Sequence, residues 1–327
     1  MKNKLTILLF FVLFSCKNNR AETNNNFLNW INCEKTGDLK FYLANVSDDY
    51  KSLLFNKYKT TDDRTLIDSV TNNDFQLIEI IKEGKMACEN QILEEVKTTL
   101  PNISLIKYRM KLNDIEFDSK MFQERIVIKE YKSESEKYTP YDKNFRQQID
   151  SLLVTKYNSP NLVSEISNLL EFKPYNSKEK QFTIIKKKFE GYVNAIKSND
   201  ENFLDYIYSP AFDLLVKESN GQLSHKEIQK YLLENLILSK RKQELNFKNY
   251  YIDNFNKINC TKKKELFILD YVIDVENNVY IPGKALVVFE NNKVSFLEYN
   301  KTEYEGMYQT LFDAEIMQCI IVAMEKK

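Results

Sequence analysis

The sequence predicts an α+β protein of two domains, and three observations carry that expectation. Residues 27–172 alternate between segments of helical and of strand-like period. Residues 180–327 order their periods instead, helical spacing first and then a switch to alternation near residue 244. Between them Lys173–Glu179 (KPYNSKE) is polar and holds a proline, so 173–179 reads as a linker. Helices followed by a run of antiparallel strands is α+β by the layer argument.

The chain opens with a basic segment, Met1-Lys2-Asn3-Lys4, and an apolar run from Leu5 to Phe14 broken only by Thr6. That run is about half of the roughly 20 residues a spanning helix needs. A short apolar stretch behind a basic start is an export signal, here residues 1–15. It ends Leu13-Phe14-Ser15-Cys16, which resembles the lipobox of bacterial lipoproteins, although Phe14 stands where that pattern has a small residue. The resemblance implies cleavage before Cys16, a diacylglyceryl group and palmitate-type acyl chains on that cysteine, and membrane attachment in the cell envelope. Residues 16–26 then form a lipidated polar tether with no periodicity. Its ten residues beyond Cys16 reach at most roughly 35 Å. Glu22 is a lone acid rather than part of an acidic cluster, which favours a periplasm-facing over a surface-exposed placement.

In the first domain, 27–172, Phe75–Ile81 (FQLIEII) is rich in strand formers. Met86, Leu93, Val96 and Leu100 then recur at helical spacing, and Pro101 stops that helix. From Ile106 the chain alternates strictly. Ile106, Tyr108, Met110 and Leu112 line one face and Lys107, Arg109 and Lys111 the other, a strand with a buried and a solvated side. Gln123–Tyr131 is its expected neighbour, and helices follow over 141–157 and 161–171, parted by Ser159-Pro160.

In the second domain, 180–327, Phe182, Ile185, Phe189, Tyr192, Val193 and Ile196 form one helical stripe. Ser198 and Glu201 have capping-box spacing and predict a helix to about Tyr206. Ser224 and Glu227 predict another to about Ser239. Strands are expected near 244–256, 265–275, 279–290 and 293–299, with Asn277-Asn278 and Asn291-Asn292 as turns, and a helical tail from about Glu303 to Met324.

The segment Tyr192-Val193-Asn194-Ala195-Ile196-Lys197-Ser198-Asn199-Asp200, with Phe203 and Tyr206 after it, resembles the opening helices of the nuclear transport factor two-like superfamily. That superfamily includes ketosteroid isomerase, scytalone dehydratase and many non-catalytic binding domains. The resemblance covers about 180–300 and implies a cone, a curved sheet wrapped on a helix around a pocket. It puts Tyr192 where the isomerases carry an oxyanion-stabilising tyrosine, with Tyr206, Tyr208 and Asp213 as further pocket candidates and Asp213 as the nearest carboxylate base. A core role for these tyrosines and a helix-dipole role for Asp200 are the structural alternatives.

Composition narrows the chemistry. The 47 basic residues balance the 47 acidic ones, and loss of Lys2 and Lys4 with the signal leaves 45 against 47, so no basic field recruits nucleic acid. The sole histidine, His225, sits inside the Ser224–Glu227 box, which excludes histidine triads and multi-histidine metal sites. There is no Cys-x-x-Cys and no phosphate-binding glycine loop, so neither metal nor cofactor is expected. Beyond Cys16, Cys33, Cys88, Cys260 and Cys319 allow three pairings. Cys33–Cys88 and Cys260–Cys319 stay within domains, while Cys319 also suits a small buried hydrophobe. The reading that results is a non-catalytic envelope lipoprotein that binds a small molecule or another envelope protein. The alternatives are a toxin-immunity or protective lipoprotein and a carboxylate/tyrosine isomerase or dehydratase.

Overall fold

The structure, a computed structural model, describes residues 26–298 apart from 75, 116–118, 133–134, 199, 208–216, 218–223, 225, 228–229, 231–248, 259–263, 277 and 292. The chain divides into two compact units after Glu171. Both are α+β with antiparallel strands, and the second places helix before sheet as its periodicity predicts.

Among the described residues of the first unit, six helical segments precede the sheet: α1 (26–31), α2 (Cys33–Thr36), α3 (Leu39–Asn45), α4 (Asp48–Tyr58), α5 (Asp63–Asp74) and α6 (Gln76–Lys82). Strands β1 (Met86–Lys97), β2 (Ile103–Asp114), β3 (Ser119–Lys132) and β4 (Ser135–Pro140) pair antiparallel in sequence order. Helices α7 (Arg146–Tyr157) and α8 (Pro160–Leu170) close the unit. Its core is aromatic. Trp30 stacks on Tyr138 at 4.5 Å and Tyr42 at 5.1 Å, and Phe27 meets the edges of Tyr108 and Tyr138 at 5.6 Å. Ser47 caps α4 by accepting from Tyr50 N–H at 3.2 Å, and its hydroxyl also bonds Thr139 at 2.6 Å, which ties helix to sheet.

Two expectations are overturned here, and they are adjacent. Of the strand-rich FQLIEII segment, Gln76 to Ile81 is helical in α6, and the segment from Met86, expected as a helix, is strand β1. Gly84 explains the first reversal. It adopts φ 74° and ends α6 in a Schellman arrangement, its N–H donating to Ile81 and that of Lys85 to Ile80. A bulge explains the second. Met86, Cys88, Asn90 and Ile92 alternate with exposed Ala87, Glu89 and Gln91 until the register slips between Ile92 and Glu94. Leu93 is the extra residue and stands 38% exposed. The slipped phase, with polar Asn90 on the half-buried face, produces apolar spacing that mimics a helix.

The expectation of a solvated basic face on β2 is also corrected. Lys107 and Arg109 converge on Glu124 of β3, a carboxylate only 3% exposed, at 2.6 and 2.5 Å. The Arg109 guanidinium lies 4.0 Å over the Phe122 ring, and Lys111 reaches Glu89 at 4.0 Å. In the β2–β3 register Arg109 faces Glu124 directly, so Lys107 and Arg109 enter an ion pairing with a buried carboxylate while Lys111 stays on the solvated side.

The second unit begins with Phe172, buried against Tyr251 at 5.0 Å. Residues 173–179 have no regular structure, yet Tyr175 N–H donates to Ile252 at 2.7 Å, so this expected linker is held to the sheet. Helix α9 (Lys180–Ser198) buries every member of the stripe from Phe182 to Ile196. A 3-10 segment, Glu201–Tyr206, follows. Its cap differs from expectation. Asp200 accepts from Asn202 N–H at 3.0 Å, while the Ser198 hydroxyl is engaged by the Asn194 carbonyl at 2.8 Å. The Ser224–Glu227 box forms as expected, with Ser224 N–H donating to Glu227 at 2.7 Å and Glu227 N–H to Ser224 at 3.3 Å. Strands β5 (Asn249–Ile258), β6 (Lys264–Glu276), β7 (Val279–Glu290) and β8 (Lys293–Glu298) pair antiparallel in order. Asn278 at φ 60° and Asn291 at φ 50° make the two turns.

Candidate binding site

The interior of the second unit lies between α9 and strands β6–β8. Phe189 on α9 is its hub, with its ring 5.1 Å from Tyr271, 5.3 Å from Phe296 and 5.9 Å from Tyr192. Tyr192 stacks on Phe296 at 5.4 Å. Helical spacing puts Phe189 and Tyr192 on one face of α9, and strand alternation turns Phe296 and Glu298 of β8 the same way.

Among these rings stands a buried carboxylate. Glu298 accepts a hydrogen bond from the Tyr192 hydroxyl at 2.9 Å, in a fully buried contact. Tyr271 completes the group from β6. It is wholly buried, and its hydroxyl has no hydrogen-bond partner among the described residues. Burial pushes the Tyr271 phenol well above the usual tyrosine range, and the negative charge of Glu298 adds to the shift. Its ring occupies the space over Gly283, its cross-strand partner, where a Cβ would meet the ring carbon Cζ. Gly283 therefore makes room for Tyr271. Tyr250, on β5, packs its ring on Phe189 at 5.5 Å, and burial with the nearby charge of Glu190 raises it to about 12.

Of the residues expected in a pocket, the structure brings Tyr192 and Tyr206 together, with ring centroids 6.3 Å apart. The Tyr206 hydroxyl rests against Gly191, where an added Cβ would lie 2.6 Å from it, so Tyr206 seals the 3-10 segment onto α9. Tyr208 and Asp213 lie outside the described residues, as do Cys16, Cys260 and Cys319. The structure holds Cys33 and Cys88 as thiols. Glu298 and Tyr271 were not anticipated. For Tyr271 a signal existed, since Gly283 in the middle of a strand marks a close approach of something large. For Glu298 the signal is its phase with Phe296 on a strand that is buried from Val294 onward.

This arrangement offers a carboxylate and two phenols within aromatic walls. Tyr192 is already engaged by Glu298, whereas Tyr271 can still donate. Among the described residues no group of three or more His, Cys, Asp or Glu could hold a metal ion.

No protein-family model matches the chain, and no curated protein matches it. Among solved structures it is similar to an Ntf2-like protein involved in plasmid conjugation, with 11% identity over 72% of this chain and 86% of that one and a TM-score of 0.20.

Proposed function

We propose that this chain is a lipid-anchored protein of the bacterial cell envelope. Its second unit binds a small, largely apolar molecule that carries a hydrogen-bond acceptor, without catalysing a reaction. The observation that carries the binding reading is the Tyr271 hydroxyl, a fully buried donor with no acceptor among the described residues. Such a group costs about 1–3 kcal/mol when left unanswered. A carbonyl or hydroxyl oxygen on a ligand supplies the missing acceptor, the surrounding rings favour an apolar body, and the charge of Glu298 disfavours an anion. The lipobox-like Leu13–Cys16 supports the anchor, and among the described residues no helix is long and apolar enough to cross a membrane. The tether supports action near the membrane surface, facing the periplasm.

An isomerase or dehydratase reading draws on Glu298 beside Tyr192. The hydrogen bond between them speaks against it, because the phenol that would stabilise an oxyanion is engaged by the acid that would act as base.

The test uses the full lipidated protein, purified from membranes in detergent and analysed for bound molecules by native mass spectrometry. The wild type should carry a molecule that Tyr271→Phe loses or holds about tenfold more weakly, with folding intact. A wild type that carries none, or a variant that carries the same load, defeats the binding reading. Recovery of a stoichiometric protein partner with no small molecule would favour the immunity-type reading instead. The anchor is tested apart: Cys16→Ser should leave the membrane fraction and lose fatty-acid labelling, and no change in either rejects it.

A further inference from the structure

Helix α1 runs across one face of the β1–β2 pair, and its contacts can be followed residue by residue. Phe27, near its start, packs its ring on Tyr108, which faces Ile92 in the register. Asn32, just past its end, accepts a hydrogen bond from the Asn90 side chain at 3.4 Å, and Asn90 faces Met110. Five residues of helix rise about 7.5 Å, close to the rise of about 6.8 Å over two residues of strand. The helix therefore tracks β1 backwards, from Ile92 to Asn90.

The next residue of β1 on that face is Cys88, opposite Leu112. The next residue after Asn32 is Cys33, the first of α2. Helix α2 packs against α6, and α6 leads through Gly84 into β1 at Met86. Cys33 thus adjoins Asn32, whose side chain is bonded to Asn90, two residues along β1 from Cys88. The Cys33 thiol is 5% exposed and donates to Asn29 at 3.5 Å. Cys88 is half-buried against the core that Phe27, Trp30 and Ile31 of α1 enter.

We propose that Cys33 and Cys88 are an oxidisable pair that closes into a disulfide and staples the N-terminal helices to β1. Cys88 is the more exposed thiol and reacts first. It gives its proton to water, and its thiolate attacks one sulfur of an incoming disulfide, either a small molecule or a protein dithiol oxidase. One thiolate leaves and a mixed disulfide remains. Cys33 then loses its proton and attacks the Cys88 sulfur, and the second thiolate leaves. Two electrons pass to the incoming disulfide, which becomes two thiols as it takes up two protons.

Full-length protein taken from the envelope, acid-quenched, alkylated without reduction and digested should yield one linked peptide pair containing Cys33 and Cys88. Neither cysteine should take the label until reductant is added. In Cys33→Ser, Cys88 should label at once. Purified reduced protein incubated with oxidised glutathione should gain the same bridge and unfold at a higher temperature than before. That arm does not depend on where the protein resides, so its failure and a failure of the envelope placement are distinguishable. Alkylation of both cysteines in the unreduced protein of both arms, or linkage of Cys88 to Cys260 or Cys319, overturns the proposal.

Discussion

The first unit buries a lysine and the second buries a glutamate, and the two are treated differently. Lys129 on β3 is 1% exposed, yet every neighbour answers it. Its ammonium lies 3.0 Å from Glu136 and 3.7 Å from Glu95, with the Tyr131 ring 4.6 Å away. The carboxylates are answered in turn, Glu136 by the Tyr138 hydroxyl at 2.6 Å, and Glu95 by Ser104 at 3.2 Å and Tyr131 at 3.3 Å. Burial alone would push the Lys129 ammonium down, but bonds to Tyr131 and Glu136 and the charges of both glutamates hold it above its ordinary value. Around Glu298 the network stops short. Tyr192 donates to it, while Tyr271 is in its field and donates to nothing among the described residues. A closed network holds strands together. An open one leaves a hydrogen bond for something else to make.

If the first cluster is structural, removing its cation should be the most damaging single change. Lys129→Met leaves two glutamates facing each other without a counter-ion, which costs about 3 kcal/mol or more. Urea unfolding should show it as a lower midpoint with an unchanged slope. A loss below about 1 kcal/mol would place the pair among ordinary surface bridges and remove the contrast. In the second unit the matching test concerns space. Gly283→Ala places a methyl group within the Tyr271 ring, and such overpacking costs about 1–3 kcal/mol. Thermal unfolding should report that loss, and the double variant with Tyr271→Leu should recover much of it, because the atoms that clash are gone.

How much of this was legible in the sequence depends on whether a feature is local. The stripe on α9 is a property of one helix, and each of its six positions is buried as read. Strands β6 to β8 were legible because Asn278 and Asn291 mark their turns. Helix α6 and strand β1 reverse what their local periods predict because Gly84 and the bulge at Leu93 alter the period, and both effects are settled by pairing with β2 and by capping. Pairing across strands was not legible at all. That Glu124 meets Lys107 and Arg109, or that Tyr271 lies over Gly283, follows only from a register, and one strand does not carry its partner's register. Tyr192 was found because it belongs to a helix, whereas Glu298 needed the fold.

The two phenols give the finest separation. Tyr192→Phe removes the donor to a buried carboxylate and should cost about 1–3 kcal/mol in the absence of ligand. Tyr271→Phe removes a buried hydroxyl that bonds nothing among the described residues, so in the same measurement it should stabilise the ligand-free protein by up to about 1–3 kcal/mol. A second effect appears with alkali. Because the folded protein holds the Tyr271 phenol above its ordinary value of 10.0, the unfolded chain releases that proton first. Stability from this group is therefore full below pH 10.0 and falls as pH rises beyond it, by at most about 1.4 kcal/mol per pH unit for one proton. The stability difference between wild type and Tyr271→Phe should stay constant below pH 10.0 and widen above it, the variant falling less steeply. Equal slopes would mean that Tyr271 ionises as readily folded as unfolded. The hydroxyl would then reach water, and the unanswered donor on which the binding reading stands would be lost.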